Sequence, residues 1–287
     1  MKKTLLLSIA LSSAVALAGT AWAAERGRDG ELRLLYWQAP STMMPYLSGG
    51  TKELEASSLV IEPLARYNQD GEMLPWLAEE IPTVANGGIS EDLTSITWKL
   101  RRGIKWSDGS EFTSADAVFT YEYCSHPDTG CTSSNYFNDI VSVDALDSHT
   151  IKINFTVAKP FPYAPFVGYN APIMQAAQFE GCIGAKAQEC TEQNFNPIGT
   201  GPFKVVDFKP NDVIVFEANE HYRVEGQPAF QSVLFKGGGD ATSAARAVLE
   251  TGEMHFAWNL QVEPEILNKM TEAGKGTIIA GFGTAVE

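Results

Sequence analysis

The chain has 287 residues, 44% of them hydrophobic and 10% aromatic, enough apolar material for one or two packed cores. Its formal net charge is −14, from 35 Asp and Glu against 21 Lys and Arg. That balance repels phosphate backbones and excludes nucleic acid as the expected partner.

The N-terminus reads as an export signal. Lys2 and Lys3 precede an apolar run over residues 5–17, and Ala21-Trp22-Ala23 offers a small-x-small cleavage site. The run is too short and too rich in Ser and Ala for a membrane span. Removal of residues 1–23, with cleavage near Ala23, would leave a mature chain of net charge −16. The first cysteine is Cys124, so no lipid-accepting thiol stands near the cleavage site. The expectation is a soluble protein of the periplasm.

Further along, Leu32-Arg33-Leu34-Leu35-Tyr36-Trp37 has the composition of a strand ending before Pro40. Residues 57–64 read as a helix leading into Ala65-Arg66-Tyr67. Asn68-Gln69-Asp70-Gly71-Glu72 is hairpin-like, and Asn86-Gly87-Gly88 is a loop. Ile96, Trp98 and Leu100 alternate with Ser95, Thr97, Lys99 and Arg101, the period of a half-buried strand. Ser107-Asp108-Gly109 is turn chemistry. Thr113 or Ser114 then caps a helix, with Asp116 in its first turn where a carboxylate suits the helix dipole. Two more hairpins center on Asp147-Ser148 and Pro210-Asn211-Asp212, and residues 161–166 carry too much proline for regular structure. Gly237-Gly238-Gly239 precedes a helix over residues 240–251 capped by Asp240, and Thr277-Ile278-Ile279-Ala280 reads as a strand. The whole is mixed α+β, with no internal repeat.

Four cysteines in an exported chain point to disulfides. Cys124–Cys131 and Cys182–Cys190 each enclose a short loop, and Pro127-Asp128-Thr129-Gly130 turns the first back on itself. Metal binding is the rival reading, but the spacings are not Cys-x-x-Cys and only His126 lies near. A catalytic center finds no motif: there is no Gly-x-Ser-x-Gly, no Ser-x-x-Lys and no His-Glu-x-x-His. Gly199-Thr200-Gly201 lacks the Gly-Lys of a phosphate loop. No cofactor and no enzyme activity are expected.

Three blocks carry a resemblance. The first runs Leu64-Ala65-Arg66-Tyr67-Asn68-Gln69-Asp70-Gly71-Glu72-Met73-Leu74-Pro75-Trp76-Leu77-Ala78. The second is the strand, turn and capped helix of residues 97–119. The third is Pro197-Ile198-Gly199-Thr200-Gly201-Pro202-Phe203 with Asn219-Glu220-His221-Tyr222-Arg223. In this order they resemble the family 5 extracytoplasmic solute-binding proteins of peptide, dipeptide and nickel ABC transporters. The resemblance implies a periplasmic-binding-protein type II fold, mixed α+β and α/β, of two lobes that close on a ligand. Lobe I would span residues 24–256, with a family-specific subdomain near 56–190. Residues 257–287 would cross into lobe II and begin it, which reads the sequence as an N-terminal portion of longer chains. An Asp of lobe II that pairs with a peptide's α-amino group in such proteins would then lie outside it.

By this resemblance the ligand is a peptide or other small solute, the partners are membrane permease subunits, and the state is monomeric. An oligosaccharide, nickel or haem is the alternative cargo. Candidate ligand-binding residues are Tyr36, Trp37 and Gln38 at a strand end, with Trp258 and Asn259 at the crossing; packing is the rival role of the aromatics.

Overall fold

The computed structural model describes residues 25–258 and 260–279. The expected signal segment, Asn259 and Ala280 fall outside the described residues. In chain order the elements are β1 (Glu31–Tyr36), α1 (Thr51–Ser57), β2 (Ala65–Tyr67), β3 (Met73–Pro75), β4 (Ser95–Lys99), α2 (Ser114–Ser125), β5 (Ile140–Asp147), β6 (Thr150–Phe155), α3 (Ala176–Phe179), α4 (Thr191–Phe195), β7 (Phe203–Lys209), β8 (Val213–Ala218), β9 (Ser232–Gly237), α5 (Ala241–Leu249), β10 (Phe256–Ala257) and α6 (Pro264–Thr271).

Three sheets organize them. The main sheet has five strands in the order β10-β1-β9-β8-β7, a second has three in the order β4-β6-β5, and β2 and β3 form a hairpin. β1 runs parallel to both β9 and β10, while β7, β8 and β9 pair antiparallel. The expected hairpins are present: β2–β3, β5–β6 and β7–β8.

Burial follows the pleat. Ile96 and Trp98 of β4 and Ile151, Ile153 and Phe155 of β6 are buried, as are Ile214 and Phe216 of β8 and Val233 and Phe235 of β9. These side chains belong to one core shared by the main and three-stranded sheets, with Tyr46, Trp106 and Phe112 also inside it. β1 is covered on both faces. Leu32 and Leu34 pack on the large core, whereas Leu35 meets Ala244 and Met254 on the other side. A run such as Leu-Arg-Leu-Leu-Tyr suits that two-sided burial of a parallel strand.

The helix expected over residues 57–64 lies earlier, at Thr51–Ser57. Beyond it the carbonyls of Leu59 and Val60 accept from Phe203 N (3.1 Å) and Gly201 N (2.8 Å), so the chain pairs with a distant segment instead of coiling. Pro63 also disfavors a helical residue before it. Thr277, Ile278 and Ile279, expected as a strand, pair with no strand among the described residues. α2 begins at Thr113 as N-cap, with Asp116 Oδ2 accepting from Thr113 N at 2.9 Å. Asp240 caps α5 by accepting from Ser243 N and Oγ at 2.9 and 2.7 Å. Both expected disulfides are formed, with Cα separations of 5.2 Å for Cys124–Cys131 and 5.9 Å for Cys182–Cys190. Among the described residues, no helix is long and apolar enough to cross a membrane.

Candidate functional site

The site is built at the carboxyl ends of β1, β9 and β10. Leu34 lies opposite Phe256 and Leu35 opposite Ala257, and Trp258 N donates to Leu35 O at 3.1 Å. After β1 the chain enters the large core at Met43, Met44 and Tyr46. After β9 it forms α5, which packs beside Leu35 on the opposite face. Connections that leave neighboring parallel strands toward opposite faces open a crevice at the strand ends, the usual place for a ligand in such sheets.

Gly237, the last residue of β9, lies against the segment after β1. A Cβ there would stand 1.9 Å from Ala39 N, so only glycine lets the segment after β1 pass β9 this closely. The next residue, Gly238, donates its N–H to Tyr36 O at 3.1 Å.

Two of the expected site residues meet here. The Tyr36 ring stacks between Phe235, 4.3 Å away by ring centroids, and Trp258, 5.4 Å away at an interplanar angle of 13°. Tyr36 is buried and Trp258 half-buried, so the column runs from the core outward. The Tyr36 hydroxyl donates to Glu55 Oε2 in a very short hydrogen bond. Burial, then the bonded and negatively charged Glu55, pushes the Tyr36 hydroxyl far above the usual tyrosine range, so it stays a donor. Trp37 is 50% exposed and Gln38 is exposed at the same strand end, and neither joins the column. Asn259 lies outside the described residues.

The sequence does not mark Glu55, because the helix expected over residues 57–64 lies at Thr51–Ser57. A signal was present: Lys52-Glu53-Leu54-Glu55-Ala56 is a run of strong helix formers. On the same helix, buried Glu53 accepts from Ser41 N (2.9 Å) and Ser41 Oγ (3.0 Å) and is paired with Lys52 at 2.5 Å. Burial raises the Glu53 carboxyl, but the bonds from Lys52 and Ser41 outweigh it and hold it below the usual range.

The first and third motif blocks converge elsewhere, on Glu62, whose side chain is 0% exposed. Its Oε1 accepts from Trp76 Nε1 (2.5 Å), and its Oε2 accepts from Thr200 Oγ1 (2.9 Å) and Arg223 Nη1 (2.5 Å). The Arg66 and Arg223 guanidinium groups lie 4.5 and 5.2 Å from the Trp76 ring centroid. This is a structural clamp with no open face toward the crevice residues. Among the described residues, no group of three or more His, Cys, Asp or Glu is placed to hold a metal ion.

The topology and strand-end crevice define a binding-protein fold. The family model "Bacterial extracellular solute-binding proteins, family 5 Middle" matches residues 72–285, and the chain belongs to that family. It is 26% identical over 228 residues to the glutathione-binding protein GsiB of Salmonella choleraesuis strain SC-B67. That match covers 79% of this chain and 42% of the relative, so the chain spans less than half the length of the curated relatives it matches. The structure of the oligopeptide-binding protein AppA from Bacillus subtilis, in complex with a nonapeptide, superposes with a TM-score of 0.70 at 23% identity, over 81% of this chain and 44% of that one. NikZ from Campylobacter jejuni, in complex with Ni(L-His), gives 0.66 at 26% identity, over 79% and 42%. The type II binding-protein fold expected from the sequence is the one these structures share. The relatives are solute-binding proteins, not enzymes.

Proposed function

We propose that this is the periplasmic substrate-binding protein of an ABC importer, capturing small peptides and delivering them to membrane permease subunits. The observation that carries the reading is the stack of Tyr36 and Trp258 where the parallel strands β1, β9 and β10 end, in a chain of family 5. Trp37, Gln38 and Asn259 complete the proposed wall. Extended peptides are held through main-chain hydrogen bonds with side chains in pockets, which tolerates varied sequences. Glutathione and a nonapeptide, named for the relatives above, are both peptides. Residues 24–256 act as lobe I, with the subdomain near 56–190, and residues 257–287 begin the crossing into lobe II. Closure of two lobes excludes water and selects the liganded state. The exported protein acts as a monomer, without cofactor, and ATP hydrolysis belongs to the transporter.

A second reading is a metal chelate as cargo, favored by the likeness to NikZ with Ni(L-His). Native mass spectrometry of the protein purified from periplasm separates them. A ladder of bound short peptides on a chain lacking residues 1–23 is expected. A single non-peptide or nickel-containing adduct would overturn the peptide reading.

A further inference from the structure

Three carboxylates lie close in sequence, on α1 and just after it, and two of them are paired with a protein cation. Glu53 has Lys52 at 2.5 Å, and Glu62 has Arg223 at 2.5 Å. Glu55 has none among the described residues. Among the described residues, one hydrogen bond reaches its carboxylate, from the neutral Tyr36 hydroxyl onto Oε2, and none reaches Oε1. The nearest cation in sequence, Lys52, is committed to Glu53. Glu55 is half-buried, so water compensates its charge only in part.

The surroundings narrow what such a carboxylate takes. Tyr36, which holds it, is itself held by the stack on Phe235 and by Trp258 outside it. The carboxylate is thus tied to the middle ring of an aromatic column whose outer ring, Trp258, is half-exposed. An anion fixed next to indole and phenol rings fits an alkylammonium or guanidinium: the charge meets the carboxylate and the rings, and the apolar stem covers ring surface.

We infer that Glu55, oriented by Tyr36 and flanked by Trp258, selects ligands carrying a cationic side chain, of the lysine or arginine class. The inference rests on the reading of the crevice as the peptide site and deepens it. Glu55 would be a specificity-determining residue, Tyr36 a positioning residue, and Trp258 the apolar wall for the cation's stem. The acidic balance of the whole chain, −14, favors the approach of the same ligands.

The test is calorimetric titration of the full-length mature protein with Ala-Lys-Ala and with Ala-norleucine-Ala, which share backbone, α-amino group and stem length and differ in the side-chain ammonium. The wild type is expected to bind the lysine peptide about tenfold or more tightly, as befits one charge-assisted hydrogen bond. In Glu55→Gln, which still accepts the Tyr36 bond, the lysine peptide should fall to the norleucine level while the norleucine peptide changes by about twofold at most. Tyr36→Phe should erode the same preference by freeing Glu55, giving a second variant that keeps the carboxylate. Equal affinity of the two peptides for wild type overturns the inference alone, and so does an equal loss of both in Glu55→Gln. If wild type binds neither peptide, the peptide reading falls, and the inference with it.

Discussion

Asp108 and Asp116 sit eight positions apart in the same motif, and their environments push them in opposite directions. Burial raises the Asp108 carboxyl, but bonds from the Ser110 hydroxyl (2.6 Å), the Gln175 amide (2.9 Å) and Ser110 N (2.9 Å) outweigh it and hold it below the usual carboxylate range. Asp116 is buried more deeply. Burial raises its carboxyl above the usual range despite bonds from Ala176 N and Thr113 N, each 2.9 Å. The linkage signs follow. A carboxyl whose pKa is depressed on folding adds stability above its unfolded value, near 3.9, and loses it as pH falls through the folded value. A carboxyl raised on folding does the reverse, favoring the native state more as it protonates. Asp108→Asn should therefore destabilize at neutral pH, and the deficit should shrink as pH falls below about 3.9. Urea midpoints of both proteins from neutral to acid pH check this; a deficit constant across the range would refute the assignment.

At the scale of elements, legibility depended on whether neighbors in sequence decided the structure. β4 and β6 were readable because each has one face on the core, so apolar and polar residues alternate. The β7–β8 turn announced itself through Pro210 and Asn211, and α2 through Thr113 and Asp116. Residues 57–64 misled because their carbonyls are claimed by Gly201 and Phe203, more than a hundred residues away, which no local pattern records. That shift hid Glu55. Tyr36 and Trp258 stand out as aromatics at a strand end and a crossing, but the Glu55 carboxylate bonded to Tyr36 required the fold. The same long-range pairing explains the glycines of the third block. A Cβ at Gly199 would lie 1.9 Å from Val60 O, a contact with backbone that no rotamer change relieves. Gly199→Ala should cost about 3 kcal/mol, the upper range for overpacking, because the turn before β7 must retreat from the Val60 backbone. Gly181→Ala, where nothing lies within 4 Å, serves as the matched control and should stay within about 0.5 kcal/mol. Denaturant midpoints read both.

For the whole molecule, the first and third motif blocks tie the segment after α1 and the β2–β3 hairpin to the chain around β7 and β8. Trp76 comes from the segment after β3, Thr200 from the turn before β7, and Arg223 from the loop after β8; all three end on Glu62. The signature turn joins them, since Ser107 N donates to Gly199 O at 2.9 Å. Glu62 is thus a single buried charge on which three distant stretches of chain depend. Removing it leaves the Arg223 guanidinium, 16% exposed, without its counter-charge, and orphans two further donors. Breaking a buried pair from one side costs about 3–5 kcal/mol, far above the worth of a surface pair. Glu62→Ala should lose that amount, whereas Glu62→Gln, which still accepts from Trp76 or Thr200, should lose less. The double variant Glu62→Ala/Arg223→Met should recover part of the loss, because no uncompensated charge remains. Chemical denaturation of these proteins and of Arg223→Met alone measures the coupling. Additive losses in the double variant would mean that Arg223 acts through its stack on Trp76 and Tyr222, and that Glu62 holds the blocks together by hydrogen bonding alone.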